Sequence, residues 1–469
     1  MPQPHPGAES PDIQACAADA ASLAGPESGA GALEAMVVFD ELPLPLSLRR
    51  GLISCLGLFR LALVGGAVRD LLCHRLHRDP WLGVLDLDLV VQDLRPTALD
   101  GGSPAACRLA ATLLDQAERN GWRVGFCHVH EAFGTVELEI DEVLFDLATA
   151  RREVYAAPGQ NPSVSFGTLE EDLARRDFSI NAMALEFHPS GERLCLLNTH
   201  GGLTDLKQRQ LQLLHHRSLE DDPTRIVRAA RYAARLGFAL AADSLGQFEV
   251  TIARWPWADG RGSLSVPTLR AVPPALGTRL RKELELMLER EPWPRALSLL
   301  QQWGGMVLID HSLQMDTGWL RRLRWTDRFG LSKLTALLAG AVDPEIPAGR
   351  LQLNHREQQL LAQLGRLRRA WQERGEAKRL GRQVCSAVWN PLDWCLFLEQ
   401  PGWSSDAVAL ALICGALPRR PLLRWWFRWR HIRSPVRAAD LIAQGMHPGP
   451  ELGEALRRLR AERLAAEDV

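Results

Sequence analysis

The sequence lacks a long apolar segment. No run of about 18 apolar residues occurs in its 469 positions, whereas a membrane-spanning helix needs about 20. The opening residues, MPQPHPGAESPDIQACAADA, also lack the basic and then apolar order of a secretory signal peptide. These absences predict a soluble, cytoplasmic protein that has no membrane partner.

Cysteines at metal-ligand or disulfide spacing are missing too. The nine cysteines are odd in number and no C-x-x-C motif occurs. Neither a disulfide framework nor a zinc site is therefore indicated. The sequence predicts buried free thiols instead.

A strong net charge is also absent, since the formal charge is -1. Overall electrostatics then provide no attraction to nucleic acid, and any RNA binding must come from local basic surface. No repeat of fixed period is evident, which argues against a repeat architecture.

Length and hydrophobic pattern predict several domains, because a chain of 469 residues that is 46% hydrophobic has enough apolar content for several cores. Helix and strand patterns mix from about residue 50 to 190, and amphipathic helical patterns dominate after about residue 205. The first 35 or so residues are rich in Ala, Gly, Pro and Ser and are predicted to be flexible. Breaks near 255–275 and 341–350 are predicted loops or domain boundaries.

The first indication of chemistry is a Gly-Gly turn between a strand and a helix. The apolar segment 61–64 is a predicted strand, and a helix is predicted over 67–77, directly after Gly65 and Gly66. Glycines let the backbone approach phosphate oxygens, and the first turn of a helix offers unpaired N–H groups. The pattern favours a phosphate-binding turn supplemented by Arg69, although plain tight turns share it.

An alternating strand with two carboxylates follows the turn. Asp86 and Asp88 share a face, because side chains at i and i+2 of a strand do. Two such carboxylates suit a hard cation such as Mg2+, although exposed strands also carry alternating acids. Asp146, in the apolar segment VLFDLATA, is either a third ligand or an ordinary strand residue. The turn and the acid pair in this order predict nucleotidyl transfer, and the missing G-x-G-x-x-G spacing argues against dinucleotide binding.

Residues 169–185, LEEDLARRDFSINAMAL, bring acids, arginines and an asparagine together. Arg176 is suited to neutralise phosphate, and Asp177 and Asn181 are suited to hydrogen-bond a ribose hydroxyl, the group that distinguishes ribonucleotides. An exposed, salt-bridged helix start has the same spacing. Spacing alone favours that second interpretation.

A third motif, DDPTRIVRAARYAARLGF, spans residues 221–238 and is predicted to be a helix capped by Asp221 or Asp222. Three arginines recur every three residues and form one slanted stripe: Arg225, Arg228 and Arg231. An acid beside an arginine can read a base edge, since the carboxylate accepts from an exocyclic amine and the guanidinium donates to a ring nitrogen or carbonyl. Asp222 with Arg225 would then select cytosine and adenine, although a capped, solvated helix shares the pattern.

Five ordered motifs together resemble the bacterial-type (class II) tRNA nucleotidyltransferase and poly(A) polymerase family: VGGAVRD, DLDLV, RRDFSINAMA, DDPTRIVRAARYAARLGF and RLRKELELML. These motifs lie between about residue 60 and residue 290. Residues 438–459 show a weaker similarity to the helical tail segment of such enzymes. The resemblance implies an α/β nucleotidyltransferase palm (head) domain followed by all-helical neck, body and tail domains. It implies these boundaries: a flexible tail at 1–45, the head at 46–190, a helical neck with the base-reading motif at 191–290, and an RNA-binding body and tail at 291–469.

The resemblance also implies an activity, the template-independent transfer of nucleotides from CTP and/or ATP to the 3' end of tRNA by a two-metal mechanism with Mg2+. Asp86 and Asp88 would be the catalytic metal ligands. The expected nucleotide-binding residues are Gly65, Gly66, Arg69, Arg176, Asp177, Asn181, Asp222, Arg225, Arg228 and Arg231. The motif containing Arg279, Lys282 and Glu283 would brace the neck. No protein partner is inferable.

Two departures from the family pattern leave the specificity open. Asp221 stands where the family usually has Glu, and residues 154–168 lack the acid and the arginine often found in the flexible loop of enzymes that add all three nucleotides. Addition of CCA, of CC only or of A only all remain possible outcomes. The alternatives are a poly(A) polymerase, which shares the head motifs, and an inactive RNA-binding protein. No H…HD…D pattern follows, so Asp310 and His311 are expected to be structural.

Arginines and tryptophans interleave in residues 419–437, RRPLLRWWFRWRHIRSPVR. Arginines bind phosphate and aromatic rings stack on bases. Tryptophans at helical spacing are more often core, with arginines reaching outward. The second interpretation is favoured for Trp425, Trp426 and Trp429.

Overall fold

Most strands of the first 200 residues assemble into one eight-stranded sheet, whose strands lie in the spatial order Met36–Val38, Arg193–Leu197, Ala184–Phe187, Phe59–Val64, Asp86–Asp93, Val143–Thr149, Thr135–Ile140 and Val124–His130. The structure is a computed structural model that describes residues 36–38, 42, 44–81, 83, 86–94, 103–188, 190, 193–254, 273–379 and 389–467. These residues form two structural units. One contains those up to Asp221 together with Leu236–Gln247, and the other contains Asp222–Arg235 and those from Phe248 onwards.

The strands are β1 (Met36–Val38), β2 (Phe59–Val64), β3 (Asp86–Asp93), β4 (Val124–His130), β5 (Thr135–Ile140), β6 (Val143–Thr149), β7 (Arg151–Val154), β8 (Ser163–Phe166), β9 (Ala184–Phe187), β10 (Arg193–Leu197), β11 (Gln210–Leu211) and β12 (Ala239–Leu240). The helices up to residue 254 are α1 (Leu46–Cys55), α2 (Gly66–His77), α3 (Ala105–Asn120), α4 (Leu169–Ala174), α5 (Gly202–Lys207), α6 (Ser218–Asp221), α7 (Arg225–Leu236) and α8 (Ala242–Arg254).

The later helices are α9 (Thr278–Arg290), α10 (Trp293–Gln302), α11 (Trp319–Arg324), α12 (Thr326–Phe329), α13 (Lys333–Leu338), α14 (Glu345–Arg350), α15 (His355–Arg379), α16 (Pro391–Leu398), α17 (Ser405–Cys414), α18 (Arg419–Phe427), α19 (Ala438–Ala443) and α20 (Pro450–Ala465). Short 3-10 turns occur at Glu131–Phe133, Ser179–Asn181, Pro274–Leu276, Gly305–Leu308, His311–Met315 and Trp429–His431.

Alternation of side chains explains how the sheet forms its core and its site. In β3 the leucines at 87 and 89 are buried, whereas Asp86 and Asp88, which alternate with them, face the other side. β3 and β6 run parallel, and β2 pairs antiparallel with both β3 and β9. Helix α3 covers the sheet with one apolar face, whose buried residues are Ala106, Leu109, Ala110, Leu113 and Ala117.

The predicted order of an α/β head followed by a helical remainder is confirmed, with some differences at its edges. The sheet includes β1, which lies inside the segment 1–45 that was predicted to be a flexible tail, and β10, which lies beyond residue 190. Residues 1–35 lie outside the described residues. The division into head, neck, body and tail remains a prediction.

Two predictions about the helical region need correction or restriction. The break predicted at 341–350 is partly wrong, because α14 begins there; Pro344 precedes its first turn, where a proline costs no helical hydrogen bond. Most of the other predicted break, 255–275, lies outside the described residues. The all-helical description of the neck also misses a two-residue parallel pairing between β11 and β12.

Three further features of the sequence can be located within the described ranges. The seven cysteines found there are all free, and three of them, Cys55, Cys73 and Cys395, are buried. None of the helices in these ranges combines the length and hydrophobicity that a bilayer crossing requires. Trp425 and Trp429 are buried while Arg424 and Arg428 are exposed, so the core interpretation of the Arg-Trp segment is confirmed for these two tryptophans.

Candidate active site

Three carboxylates meet on one face of the sheet. The parallel register of β3 and β6 sets Asp88 directly beside Asp146, and Asp86 lies two residues from Asp88 on the same face. One carboxylate oxygen from each of the three lies within 4.8 Å of the others, close enough to hold a metal ion. Asp146, which the sequence left open, therefore lies where a third ligand could bind.

The electrostatics of this triad favour a bound cation. Burial, together with the charges of Asp86 and Asp146, raises the pKa of Asp88 from 3.8 to about 6, and Arg176 partly opposes this shift. Burial, Glu137 and Asp86 also raise the pKa of Asp146. Ionised carboxylates that repel one another in a partly buried site are stabilised by a cation with oxygen ligands.

The Gly-Gly turn lies beside this triad. Gly65 has φ +76° and ψ −137°, a backbone conformation that side-chain-bearing residues rarely adopt, and α2 begins at the next residue. A Cβ built on Gly65 would lie 3.6 Å from Nη1 of Arg176 and 3.7 Å from Oδ2 of Asp88. The turn, an arginine and a metal-ligand candidate thus come together, as the sequence predicted.

Arg69 lies in a buried network below the turn. Its residue surface is 3% exposed, its Nε donates to Asp70 Oδ1 at 2.8 Å, and its Nη1 donates to Asn181 Oδ1 at 2.8 Å. Asn181 Nδ2 donates in turn to Asp177 Oδ1 at 2.9 Å. These bonds hold both side chains beside the turn, and the contacts of Arg69 and Asn181 with a nucleotide remain predictions.

The exposed interpretation of residues 169–185 is wrong. Asp172 is fully buried, and Asp177 and Asn181 are 7% and 6% exposed. Only the start of α4 fits that interpretation, where Thr168 and Glu171 form a reciprocal capping box. Charge spacing along the chain cannot reveal which side of the helix is covered, and here Leu169 and Leu173 of α4 pack against the interior strands β2, β3 and β9.

The base-reading candidates lie in the second structural unit. Asp222 Oδ1 accepts from the backbone N–H of Thr224 at 3.0 Å and from its hydroxyl at 2.6 Å, which confirms Asp222 as the capping acid. Arg225 is 5% exposed, and Arg279 lies with its Nη1 3.2 Å from Asp222 Oδ2. The sequence predicts only neck bracing for Arg279 and does not reveal this contact, because Arg279 lies far from Asp222 along the chain.

Two of the three stripe arginines share one carboxylate. Arg228 Nη1 donates to Glu283 Oε1 at 2.8 Å, and Arg231 Nη1 donates to Glu283 Oε2. Arg231 is 7% exposed, so the solvated-helix interpretation is wrong at that position. The alanines of α7 leave room for guanidinium groups to pack inward against α9. This contact supports the predicted bracing role of Glu283.

Two further predicted segments have defined local structure. Residues 151–166 form a two-stranded hairpin in which Arg151 pairs with Phe166 and Val154 with Ser163, at the place of the family's flexible loop. Asp310 caps a 3-10 turn by accepting from the backbone N–H of Ser312 at 2.9 Å, which confirms its structural role.

Known proteins resemble both the head and a larger part of the chain. Residues 61–212 match the family described as Poly A polymerase head domain. A CC-adding tRNA nucleotidyltransferase of Deinococcus radiodurans is 37% identical over 309 residues, which cover 64% of this chain and 69% of the relative. The chain belongs to the tRNA nucleotidyltransferase family.

Other similarities of this nucleotidyltransferase are more partial in sequence or limited to fold. An A-adding tRNA nucleotidyltransferase of Aquifex aeolicus is 41% identical over 182 residues, covering 39% of this chain but only 19% of that relative. A solved structure of a CCA-adding enzyme in its apo form II has a TM-score of 0.63 at 21% identity, covering 93% of this chain and 97% of that one. The chain therefore shares the fold of that solved structure over the part that the comparison covers.

Proposed function

We propose that this nucleotidyltransferase adds C, A or both to the 3' end of tRNA, using CTP and/or ATP and no template. The observation that carries the proposal is the carboxylate triad beside the Gly65 turn and Arg176. The relatives from D. radiodurans and A. aeolicus are named CC-adding and A-adding enzymes. These names support the substrate class without deciding between C and A.

The proposed reaction is an in-line transfer. The 3'-hydroxyl oxygen of the RNA bonds to the α-phosphorus, the bond to the pyrophosphate oxygen breaks, and the hydroxyl proton leaves to solvent. Asp86, Asp88 and Asp146 would hold Mg2+, because carboxylate oxygens are the ligands that this ion prefers. When bound, two such ions supply activation of the attacking hydroxyl and stabilisation of the leaving pyrophosphate.

The residues around the triad would position the triphosphate. We propose that Arg176 neutralises phosphate charge and that Gly65 and Gly66 present backbone N–H groups of the first turn of α2 to phosphate oxygens. Asp177 would accept from the ribose hydroxyl. Their proximity to Asp88 supports this assignment for Arg176 and Gly65.

Base selection is assigned to Asp222 and Arg225. The carboxylate of Asp222 has acceptor capacity beyond its contacts with Thr224 and Arg279, so it can accept from the amine of cytosine or adenine. Arg225 would donate to the neighbouring ring nitrogen or carbonyl. Arg228 and Arg231, held by Glu283, would support this pair.

RNA binding is assigned to residues 291–469. The support is a set of exposed arginines around α18: Arg419, Arg420, Arg424, Arg428, Arg433 and Arg437. Such residues bind the phosphates of RNA. We further propose a cytoplasmic location, which cell fractionation with an antibody to the chain would test.

Replacing Gly65 with alanine is expected to reduce incorporation by about tenfold to a hundredfold. Alanine is strained at φ +76° by roughly 1–3 kcal/mol, and its methyl group would occupy the space next to Arg176 and Asp88. Gly121→Ala controls for a positive φ, since Gly121 has φ +69° but nothing lies within 4 Å of its Cβ position. Equal activity of the two variants would contradict a phosphate-binding role for the turn.

The proposal is tested with purified protein, Mg2+ and three tRNA transcripts that end before CCA, after the first C and after CC. Each transcript is offered CTP, ATP or both, and the products are sized. Extension of the first transcript to CCA identifies a complete CCA-adding enzyme. A stop after CC, or addition of A only to the third transcript, identifies a specialised enzyme, whereas long A tails identify a poly(A) polymerase. No incorporation with any transcript would refute the proposal and favour an inactive RNA-binding protein.

A further inference from the structure

A single buried carboxylate holds two successive arginines next to the triad. Asp172 has no exposed side-chain surface. Its Oδ1 accepts from Nε and Nη2 of Arg175 at 3.0 and 2.6 Å, and its Oδ2 accepts from Nη2 of Arg176 at 2.9 Å. A buried charge is tolerated only when it is paired and hydrogen-bonded, and both oxygens of Asp172 meet this condition.

The two guanidinium groups differ in what else they contact. Arg175 is also bound by Glu153 of β7, with its Nη1 donating to Oε1 at 3.0 Å. Arg176 has Asp172 as its hydrogen-bond acceptor within the described part of the chain, and its buried Nε has none there. Arg176 therefore keeps donors available on the side that faces Gly65 and Asp88.

Asp88 is a competing partner for the same guanidinium. It lies close enough to Arg176 for the positive charge to lower its pKa against the effects of burial and the other carboxylates. A direct ion pair between Arg176 and Asp88 would occupy oxygens of the metal triad and withdraw the arginine from a phosphate. The pairing with Asp172, fixed from the opposite side by Arg175, opposes such a movement.

We propose that Asp172 is a positioning residue for nucleotide binding: it keeps the Arg176 guanidinium beside the Gly65 turn and away from a direct ion pair with Asp88. The proposal rests on the proposed function of Arg176 in binding the triphosphate. Asp172 itself touches neither substrate nor metal. Its contribution is to fix one arginine between two acids.

The test is steady-state incorporation by Asp172→Asn, with the KM for nucleotide and the KM for tRNA measured separately. We expect the nucleotide KM and the Mg2+ concentration for half-maximal rate to rise about tenfold, because the released arginine competes for Asp88. The KM for tRNA should stay within about twofold. Glu153→Gln is the matched control, since Glu153 is also a largely buried acid paired with Arg175 but does not contact Arg176, and its nucleotide KM should stay within about threefold.

A double mutant separates positioning from a general loss of structure. In the Arg176→Ala background, Asp172→Asn should change the nucleotide KM by less than about twofold, because the positioned group is already gone. Additive losses in the double mutant, or a rise in both KM values together, would overturn the proposal. If Asp172→Asn does not fold, the Arg176→Ala variant alone tests the proposal, because that variant leaves Asp172 paired with Arg175. An unchanged nucleotide KM of Arg176→Ala would then reject the proposal. An inactive wild-type protein in the same assay would instead refute the proposed function.

Discussion

Asp86→Ala and Asp88→Asn should each reduce nucleotide incorporation by about a thousandfold or more. Each removes an anionic ligand from the triad, and the metal supplies charge stabilisation that no neighbouring residue replaces. Binding of tRNA, measured by gel shift without nucleotide, should remain within about twofold of wild type, because the exposed arginines assigned to RNA contact are unchanged. Undiminished incorporation by either variant would refute the assignment of the site.

The same Asp88→Asn variant is expected to be more stable than wild type when no metal is present. A pKa of about 6 in place of 3.8 means that the fold disfavours the ionised form. This corresponds to ~3 kcal/mol before solvent screening and about 1–2 kcal/mol after it. This destabilisation of the folded wild-type protein is absent below pH ~4, grows between about pH 4 and 6, and is complete above pH ~6. Urea unfolding in EDTA at pH 4 and pH 8 checks this; a variant that is less stable at pH 8 would contradict the electrostatic account of the triad.

Arg225→Ala is expected to weaken the rejection of UTP and GTP by about tenfold to a hundredfold. A hydrogen-bonded contact to a base edge is worth about 1–3 kcal/mol of discrimination, and each 1.4 kcal/mol is tenfold. The measurement is kcat/KM for each of the four nucleotides on one tRNA acceptor. The ratio of the correct to the wrong nucleotides reports selection separately from overall activity.

Arg235→Ala provides the control for this prediction. Arg235 lies on the same helix, α7, but its side chain is 40% exposed and pairs with Glu291 at 3.4 Å. Its removal should leave the nucleotide ratios unchanged. If Arg225→Ala loses activity with all four nucleotides equally, or keeps the wild-type ratios, then Arg225 does not read the base.

Much of the site was predictable because its signals are local. The strand before Gly65, the helix after it and the alternation around Asp86 and Asp88 follow from hydrophobic periodicity over fewer than ~30 residues. Asp146 could not be decided in this way, because its place beside Asp88 depends on parallel pairing of β3 with β6. Such pairing brings together residues far apart in the chain and leaves no local pattern.

Burial of charged groups was the main feature that the sequence did not reveal. Asp172 and Arg176 are four residues apart, a spacing that an exposed helix would also have, and Arg231 pairs with Glu283 of another helix, which no local pattern shows. Only the packing of α4 against the sheet and of α7 against α9 encloses them. Arg69 shows the same limit: its place one turn into α2 predicts a phosphate contact, whereas its bonds to Asp70 and Asn181 depend on the fold and leave no local pattern.

The most direct test of the account is incorporation of each labelled nucleotide into a tRNA that lacks its terminal CCA, with and without Mg2+ and beside an unrelated RNA of equal length. We predict Mg2+-dependent incorporation of C, A or both into the tRNA, with UTP and GTP rejected. Incorporation without any divalent cation, equal use of all four nucleotides, or equal extension of the unrelated RNA would contradict the account.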